Sequence, residues 1–425
     1  MKKQDISRRR FLQQSSLAAM GGVLIEHTPL ISEIRSVPAP RVRRPDEPII
    51  PCGLIGYGQW GREIGVELEK TGRARVAAVA DNFDLMLTRA SREIPDAERF
   101  GDCRAILDNA EIPAVLVATP THTHRQIVLD ALSAGKHVYC EAPLASTIDD
   151  ARAIASAAKA ASSQIFQCGL LFRSHPQYRS LFGFIRSGAI GRAAMVRSQW
   201  RKKVSWRRAS ATEERERELN WRLDPSLSIG LAGEIGIQQI DAASWFLNGL
   251  PVSSIGFGSI ALWDDGREVP DTMHAVIEYP GGVRMVYGAT LASSFDAMVD
   301  EFVGSDSTIM IRDQNAWMFK EVDAPLLGWE VYARKDRFYK ETGVALVADA
   351  TKLAAQGIDP TQVDPYPESA LHYALQDFLD NNIIGPYEPS ASYRTGFEAT
   401  VAAIRVNESV TTGRSVVLGA SEFEI

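Results

Sequence analysis

Short runs of aliphatic and β-branched residues alternate with helix-period segments from residue 49 to about 170. IIPCGLIG (49–56), RVAAVAD (75–81), AVLVAT (114–119), HVYCE (137–141) and QIFQCGL (164–170) read as strands, with ERFGD (98–102) as a shorter one. Helical periodicity fills the gaps over Trp60–Lys70, Phe83–Ile94, His124–Ala134 and Ile148–Ala161. Continuously apolar strands separated by helices predict a doubly wound parallel sheet, covered on both faces.

After Leu171 the rhythm changes. AAMVRSQWR (193–201), HAVIEYPGGVRMVYGATL (274–291) and STIMIRD (307–313) alternate apolar and polar residues, and Pro280-Gly281-Gly282 marks a hairpin turn. The chain therefore reads as α/β with two domains, a parallel nucleotide-type sheet over 49–169 and a second domain over 170–425 with a mostly antiparallel sheet. Between them in character lies RKKVSWRRASATEERERELNWRLD (201–224), where charges of both signs surround Trp206 and Trp221. It reads either as a solvated insertion or as a lid over a substrate. Further on, a helix ending at Asn248-Gly249 would place Glu234, Gln238, Asp241 and Trp245 on one face, a polar stripe suited to line a pocket.

The composition, 45% apolar and 23% charged residues in 425, is that of a globular chain with room for two domains. Residues 1–44 hold nine Lys and Arg against three Asp and Glu, leaving 37 against 50 in the remainder. That acidic balance argues against nucleic acid or an anionic membrane as partner. SRRRFLQ (7–13) ahead of a short apolar segment is a twin-arginine export pattern, followed by a proline-rich linker to about residue 48. A periplasmic or other extracytoplasmic location follows. Cys52, Cys103, Cys140 and Cys168 lack metal spacing and read as buried free thiols.

Between the first strand and the first helix stands Gly56-Tyr57-Gly58-Gln59-Trp60-Gly61. The first glycine permits the tight turn, the second admits a diphosphate to the backbone, and the third lets helix and strand pack. Asp81 ends the next strand twenty residues later, placed to accept hydrogen bonds from a ribose diol and to repel a 2′-phosphate, so NAD is favoured over NADP. The same aspartate could instead cap the following helix. Thr119, Pro120, His122 and His124 follow a further strand, at the edge where open α/β sheets bind ligands. The two histidines lack a third ligand, so no metal is expected.

ATPTHTH (118–124), GKHVYCEAPLA (135–145), QCGLLFRSHP (167–176), SGAIGRA (187–193), EIGIQQIDAASWFLNGLP (234–251) and PDTMHAVIEYPGGV (270–283) together resemble the glucose-fructose oxidoreductase, inositol dehydrogenase and MocA (Gfo/Idh/MocA) family. The resemblance implies an N-terminal Rossmann domain, a C-terminal domain whose open sheet forms substrate and oligomer surfaces, and NAD(P)-linked chemistry on sugars or polyols. It implies that Thr119, Pro120 and His124 meet the nicotinamide side of the cofactor and Glu141 its ribose. Arg173 would lie near nicotinamide or substrate, and Pro143 matches a position that is often cis.

Two positions depart from the family. Its Glu-Lys-Pro is here Glu141-Ala142-Pro143, and its catalytic aspartate and histidine four residues apart match Glu234 and Gln238. Glutamine cannot accept a proton, so the acid or base must be another group: Glu234 first, then His175, then Asp241. Three activities remain open on the sequence. These are an NAD-dependent oxidoreductase on carbohydrate with tightly held cofactor, a glycosidase working through transient oxidation, and a silent cofactor-binding protein.

Overall fold

A computed structural model describes residues 48–425 except 211, 313–314, 328–329, 331–332, 339–340, 347–365 and 385–388. The twin-arginine segment and nearly all of the expected linker lie outside the described residues.

Residues 50–168 form six parallel strands: β1 (Ile50–Ile55), β2 (Ala74–Ala80), β3 (Glu98–Phe100), β4 (Ala114–Val117), β5 (His137–Cys140) and β6 (Phe166–Cys168). Their order is β3-β2-β1-β4-β5-β6. Helices α1 (Gln59–Lys70), α2 (Asp84–Glu93), α3 (Arg104–Leu107), α4 (His124–Ser133) and α5 (Ile148–Ala160) connect them. All four residues of β4 are buried, which is why this strand reads as an unbroken apolar run. The order reverses between β1 and β4, opening a crevice at their carboxyl ends. Cys52, Cys140 and Cys168 are buried free thiols, and Cys103 is half-buried.

The second sheet has ten strands in the order β14-β15-β13-β12-β11-β7-β10-β9-β8-β16. They are β7 (Ala193–Arg201), β8 (Ser253–Ser259), β9 (Thr272–Glu278), β10 (Arg284–Thr290), β11 (Met298–Gly304), β12 (Ser307–Arg312), β13 (Asn315–Lys320), β14 (Lys335–Phe338), β15 (Glu341–Ala345) and β16 (Val416–Val417). Neighbours run antiparallel except β7 and β10, which are parallel. The turn at Pro280–Gly282 joins β9 to β10, with Gly281 at φ +78°. Along these two strands Met273, Ala275, Ile277, Met285, Tyr287 and Ala289 are buried, and Val276 and Val286 are exposed between them. That two-residue period is the sequence alternation.

Helices α6 (Pro176–Arg186), α7 (Glu213–Leu219), α8 (Gly230–Glu234), α9 (Ile237–Leu247), α10 (Ala370–Ile384) and α11 (Tyr393–Thr412) complete the described elements. The two sheets share helical cover. In α10, Leu371, Leu375, Phe378 and Leu379 are buried with Leu54, Ile64, Leu68 and Tyr139 of the first sheet's layer. Meanwhile α11 packs on both α5 and β8. Residues more than 200 positions away thus complete the core of the parallel sheet.

One expected helix is two. The chain leaves helical geometry at Ile235 (φ −128°), so α8 stops at Glu234 and α9 starts at Ile237. Gly236, next to the break, is itself helical and packs on Tyr287, where an added Cβ would lie 2.8 Å from Tyr287 Cε1. The helix ends as expected, with Asn248 left-handed at φ 53°.

Candidate functional site

Gly56 leaves β1 at φ +94°, and its amide donates to Ala80 O at 2.8 Å. A Cβ at Gly61 would lie 1.9 Å from Gly56 O, so only glycine lets α1 pack this tightly on the turn. Around Gly58 no heavy atom lies within 4 Å of an added Cβ. Gly58 also precedes α1 with no side chain on the first-turn amides, which leaves those donors for an anion. These features fit a diphosphate. The Tyr57 ring points elsewhere: it is buried, and its hydroxyl donates to Glu93 Oε2 at 3.0 Å.

Asp81 ties the glycine turn to the end of β2. Its Oδ2 accepts the Tyr57 amide at 2.8 Å and its Oδ1 the Phe83 amide at 2.9 Å. It does not cap α2, which begins at Asp84 behind Phe83. Burial raises its pKa, opposed by those two amides. Each oxygen keeps a lone pair for a ribose hydroxyl.

After β4 the chain turns through Thr119 and Pro120, which line the crevice. Thr123 Oγ1 donates to Pro120 O at 2.7 Å and steadies the turn. His124 is buried, with Nε2 2.9 Å from Thr119 O and Nδ1 3.1 Å from Pro143 O. A neutral ring donates to one of these two carbonyls and packs against the other, so His124 lies between this turn and the one after β5. Burial lowers its pKa. The Ala142–Pro143 bond is cis. Pro143 and Gly61 stand behind the cavity wall rather than on it.

Glu141, at the end of β5, faces the cavity while buried, and its Oε1 has no protein hydrogen-bond partner. Burial pushes its pKa up to about 7, against the pull of the Trp60 and Tyr139 side chains and the Ala142 amide. A buried acceptor without a partner, beside a glycine turn, fits a ribose hydroxyl.

The facing wall comes from the second domain. Glu234, at the end of α8, is 3% exposed on its side chain, with Oε2 3.5 Å from Arg222 Nε. The Thr121 hydroxyl lies 3.4 Å from each of its oxygens. Burial again dominates and pushes its pKa up to about 7, with Arg222 and Thr121 pulling it down. A carboxyl poised there exchanges protons near neutrality. His122, from the first domain, also lines the cavity, edge-on to Trp221 at 5.7 Å, with its buried Nδ1 unpartnered. Gln238 also borders the cavity, but Oε1 accepts the Leu171 amide at 2.9 Å and Nε2 donates to Gly169 O at 2.8 Å. It is a strut for the segment after β6.

The remaining candidates do not reach the cavity. Arg173 and Asp241 form a two-pronged ion pair at 2.8 Å on each prong, and the guanidinium lies over Trp245. The break at Ile235 detaches Glu234 from the expected polar stripe, while Gln238, Asp241 and Trp245 stay together on α9 against Leu171 and Arg173. His175 caps α6: its Nδ1 accepts the Gln177 amide at 3.2 Å, and its ring packs edge-on against Tyr178 and Tyr373.

Sequence reasoning gave no role to Thr121, Trp200, Arg208, Arg215 or Arg222, all of which line the cavity. The mixed charges and tryptophans of 201–224 were the signal for the three arginines, and the structure places much of that segment on the cavity wall. The cavity measures about 1700 Å³. A single-ligand pocket spans roughly 300–1,000 Å³, so a dinucleotide and a further small molecule fit together.

Residues 50–169 match the model of an oxidoreductase family with an NAD-binding Rossmann fold, and residues 178–310 match that family's C-terminal domain. Inositol 2-dehydrogenase of Acidiphilium cryptum is 28% identical over 74% of this chain and 89% of its own length. Inositol 2-dehydrogenase 2 of Saccharopolyspora erythraea is 29% identical over 55% of this chain, which spans 63% of that relative. In fold, levoglucosan dehydrogenase solved with NADH superposes with a TM-score of 0.70 at 20% identity, covering 88% of this chain and all of that one. The glycine turn, the acid at the end of β2 and both domain matches agree: the chain belongs to the Gfo/Idh/MocA family of NAD-binding oxidoreductases.

Proposed function

We propose that the protein is an exported NAD-dependent dehydrogenase of a sugar, polyol or glycoside, in which Glu234 takes the proton of the reacting hydroxyl. One observation carries this reading: a carboxyl buried on the cavity wall, pushed up to about 7 and held by Arg222 and Thr121. The family's lysine and histidine are absent here, and Glu234 is a carboxyl on the wall facing the glycine turn.

Gly56, Gly58 and the first turn of α1 would hold the diphosphate, Asp81 the adenosine ribose, and Thr119, Pro120 and Glu141 the nicotinamide half. When bound, the nicotinamide supplies the hydride acceptor. The chain's own residues do the rest. Glu234 accepts the hydroxyl proton, Arg222 holds the carboxylate, and Thr121 orients it. Trp206 and Trp221 offer apolar ring faces with polar edges, suited to the C–H faces and hydroxyls of a sugar ring. The inositol and levoglucosan dehydrogenases named above act, by their names, on polyhydroxylated rings, which supports this substrate class.

The twin-arginine segment supports export of a folded protein, loaded with its cofactor beforehand. The outer face of the second sheet supports a homo-oligomer: Ile255, Val276 and Val286 lie side by side across β8, β9 and β10, with Phe257 exposed beyond them.

The test is incubation with NAD and a panel of sugars, polyols and glycosides, following reduced-nicotinamide absorbance and product release together. Net NADH formation with at least one polyol or sugar is expected. Glycoside cleavage without net reduction, or no turnover across the panel, would overturn the reading.

A further inference from the structure

We infer that residues 205–210 and 212–224 form a clasp across the mouth of the cofactor cavity, through which the dinucleotide must pass on entry and on exit. This rests on the assignment of the cavity to NAD. Two arginines make the crossing. Arg208 Nη2 donates to Oε1 of Gln59, the first residue of α1, at 2.5 Å. Arg215, on α7, lies over the Phe83 ring with its guanidinium carbon 4.1 Å from the ring centroid, and its Nη1 is 3.4 Å from Asn82 Oδ1. Gln59 follows the second glycine of the turn, and Asn82 and Phe83 follow Asp81. The crossing therefore lands on the two loops assigned to the diphosphate and the adenosine ribose, away from Glu234.

The clasp is braced from within and from the second domain. Asn220 Oδ1 accepts the Arg208 amide at 2.7 Å, and its Nδ2 donates to Arg208 O at 2.8 Å and Glu216 O at 2.7 Å. Arg207 pairs with Glu216 at 3.0 Å and donates to Asp265 O at 2.9 Å. Arg267 then binds both Asp265 and the Ser205 hydroxyl. Glu218, 2.6 Å from Arg215 Nη1, offsets the charge of that arginine, so Arg215 works by stacking and bridging more than by attracting phosphate.

These contacts join protein to protein. A dinucleotide that must part them enters slowly and leaves slowly, so the clasp sets rates in both directions and shifts affinity less. An arginine that merely touched the ligand would change release alone, the usual pattern for contact residues.

The test follows NADH association and release by rapid mixing, using cofactor fluorescence and no substrate. The double variant Arg208→Ala/Arg215→Ala should raise both rate constants about tenfold or more, with a smaller change in Kd. Asn220→Ala, which touches neither first-domain loop, should move both rates the same way; melting curves accompany each variant. Release within about twofold of the unaltered protein in both variants would overturn the clasp and leave the NAD site intact. Faster release with unchanged association would also overturn it, reducing the arginines to ligand contacts. If the unaltered protein bound no NADH, the cofactor assignment beneath it would fall as well.

Discussion

Arg222 and Glu234 form an ion pair with Nε 3.5 Å from Oε2, and the carboxyl is buried while the guanidinium is half-exposed. The geometry holds a proton-exchanging group at the cavity without neutralising it permanently. Glu234→Gln should therefore lower kcat by roughly 10²- to 10⁴-fold, the usual contribution of a positioned base, while NADH affinity stays within about threefold. Steady-state kinetics with a turned-over polyol and an NADH titration check both halves.

Asp241 is assigned a structural role, and its substitution separates that role from catalysis. Removing it strands Arg173 in a site where its side chain is 16% exposed. Asp241→Ala should lose about 3–5 kcal/mol of stability, as for other broken buried pairs, with kcat of the folded fraction near that of the unaltered protein. Denaturant unfolding and kinetics below the melting transition give the two numbers.

Gln238 makes the same kind of distinction. Gln238→Ala unpairs the Leu171 amide and the Gly169 carbonyl and should cost about 1–3 kcal/mol. The pH profile of kcat should keep its shape, because no titrating group is lost.

Glu141 and Glu234 both sit at about 7 in the folded protein, above the ordinary 4.5. Below the lower value both folded and unfolded states keep the proton. Between the two values the unfolded chain releases it while the folded one holds it, so stability falls as pH rises, and above about 7 the loss levels off. By linkage each group accounts for at most about 3 kcal/mol across that window. Glu141→Gln and Glu234→Gln should each gain stability over the unaltered protein at about pH 8 and little at about pH 4. Nucleotide-free unfolding curves at the two pH values check the difference.

The parallel sheet was legible because its central strands β1 and β4 carry no polar side chains, and the glycine turn was legible because its spacing answers a local backbone need. Asp81 was readable as an acid at a strand end. Its bond to the Tyr57 amide was not, since it joins residues 24 apart. Helical periodicity grouped Glu234, Gln238, Asp241 and Trp245 into one face, but the period continues unchanged through Ile235, where the folded chain leaves helical geometry and sets Glu234 apart. Arg173 with Asp241, and Arg215 with Asn82, are partnerships across 68 and 133 residues that only the folded chain reveals.

The most direct measurement is the pH dependence of NADH formation in a single turnover, compared between the unaltered protein and Glu234→Gln with the same polyol. The rate should rise through about pH 7 in the unaltered protein, as Glu234 becomes a base, and stay slow without that limb in the variant. A variant that keeps both the rate and the limb would contradict the placing of proton transfer at Glu234.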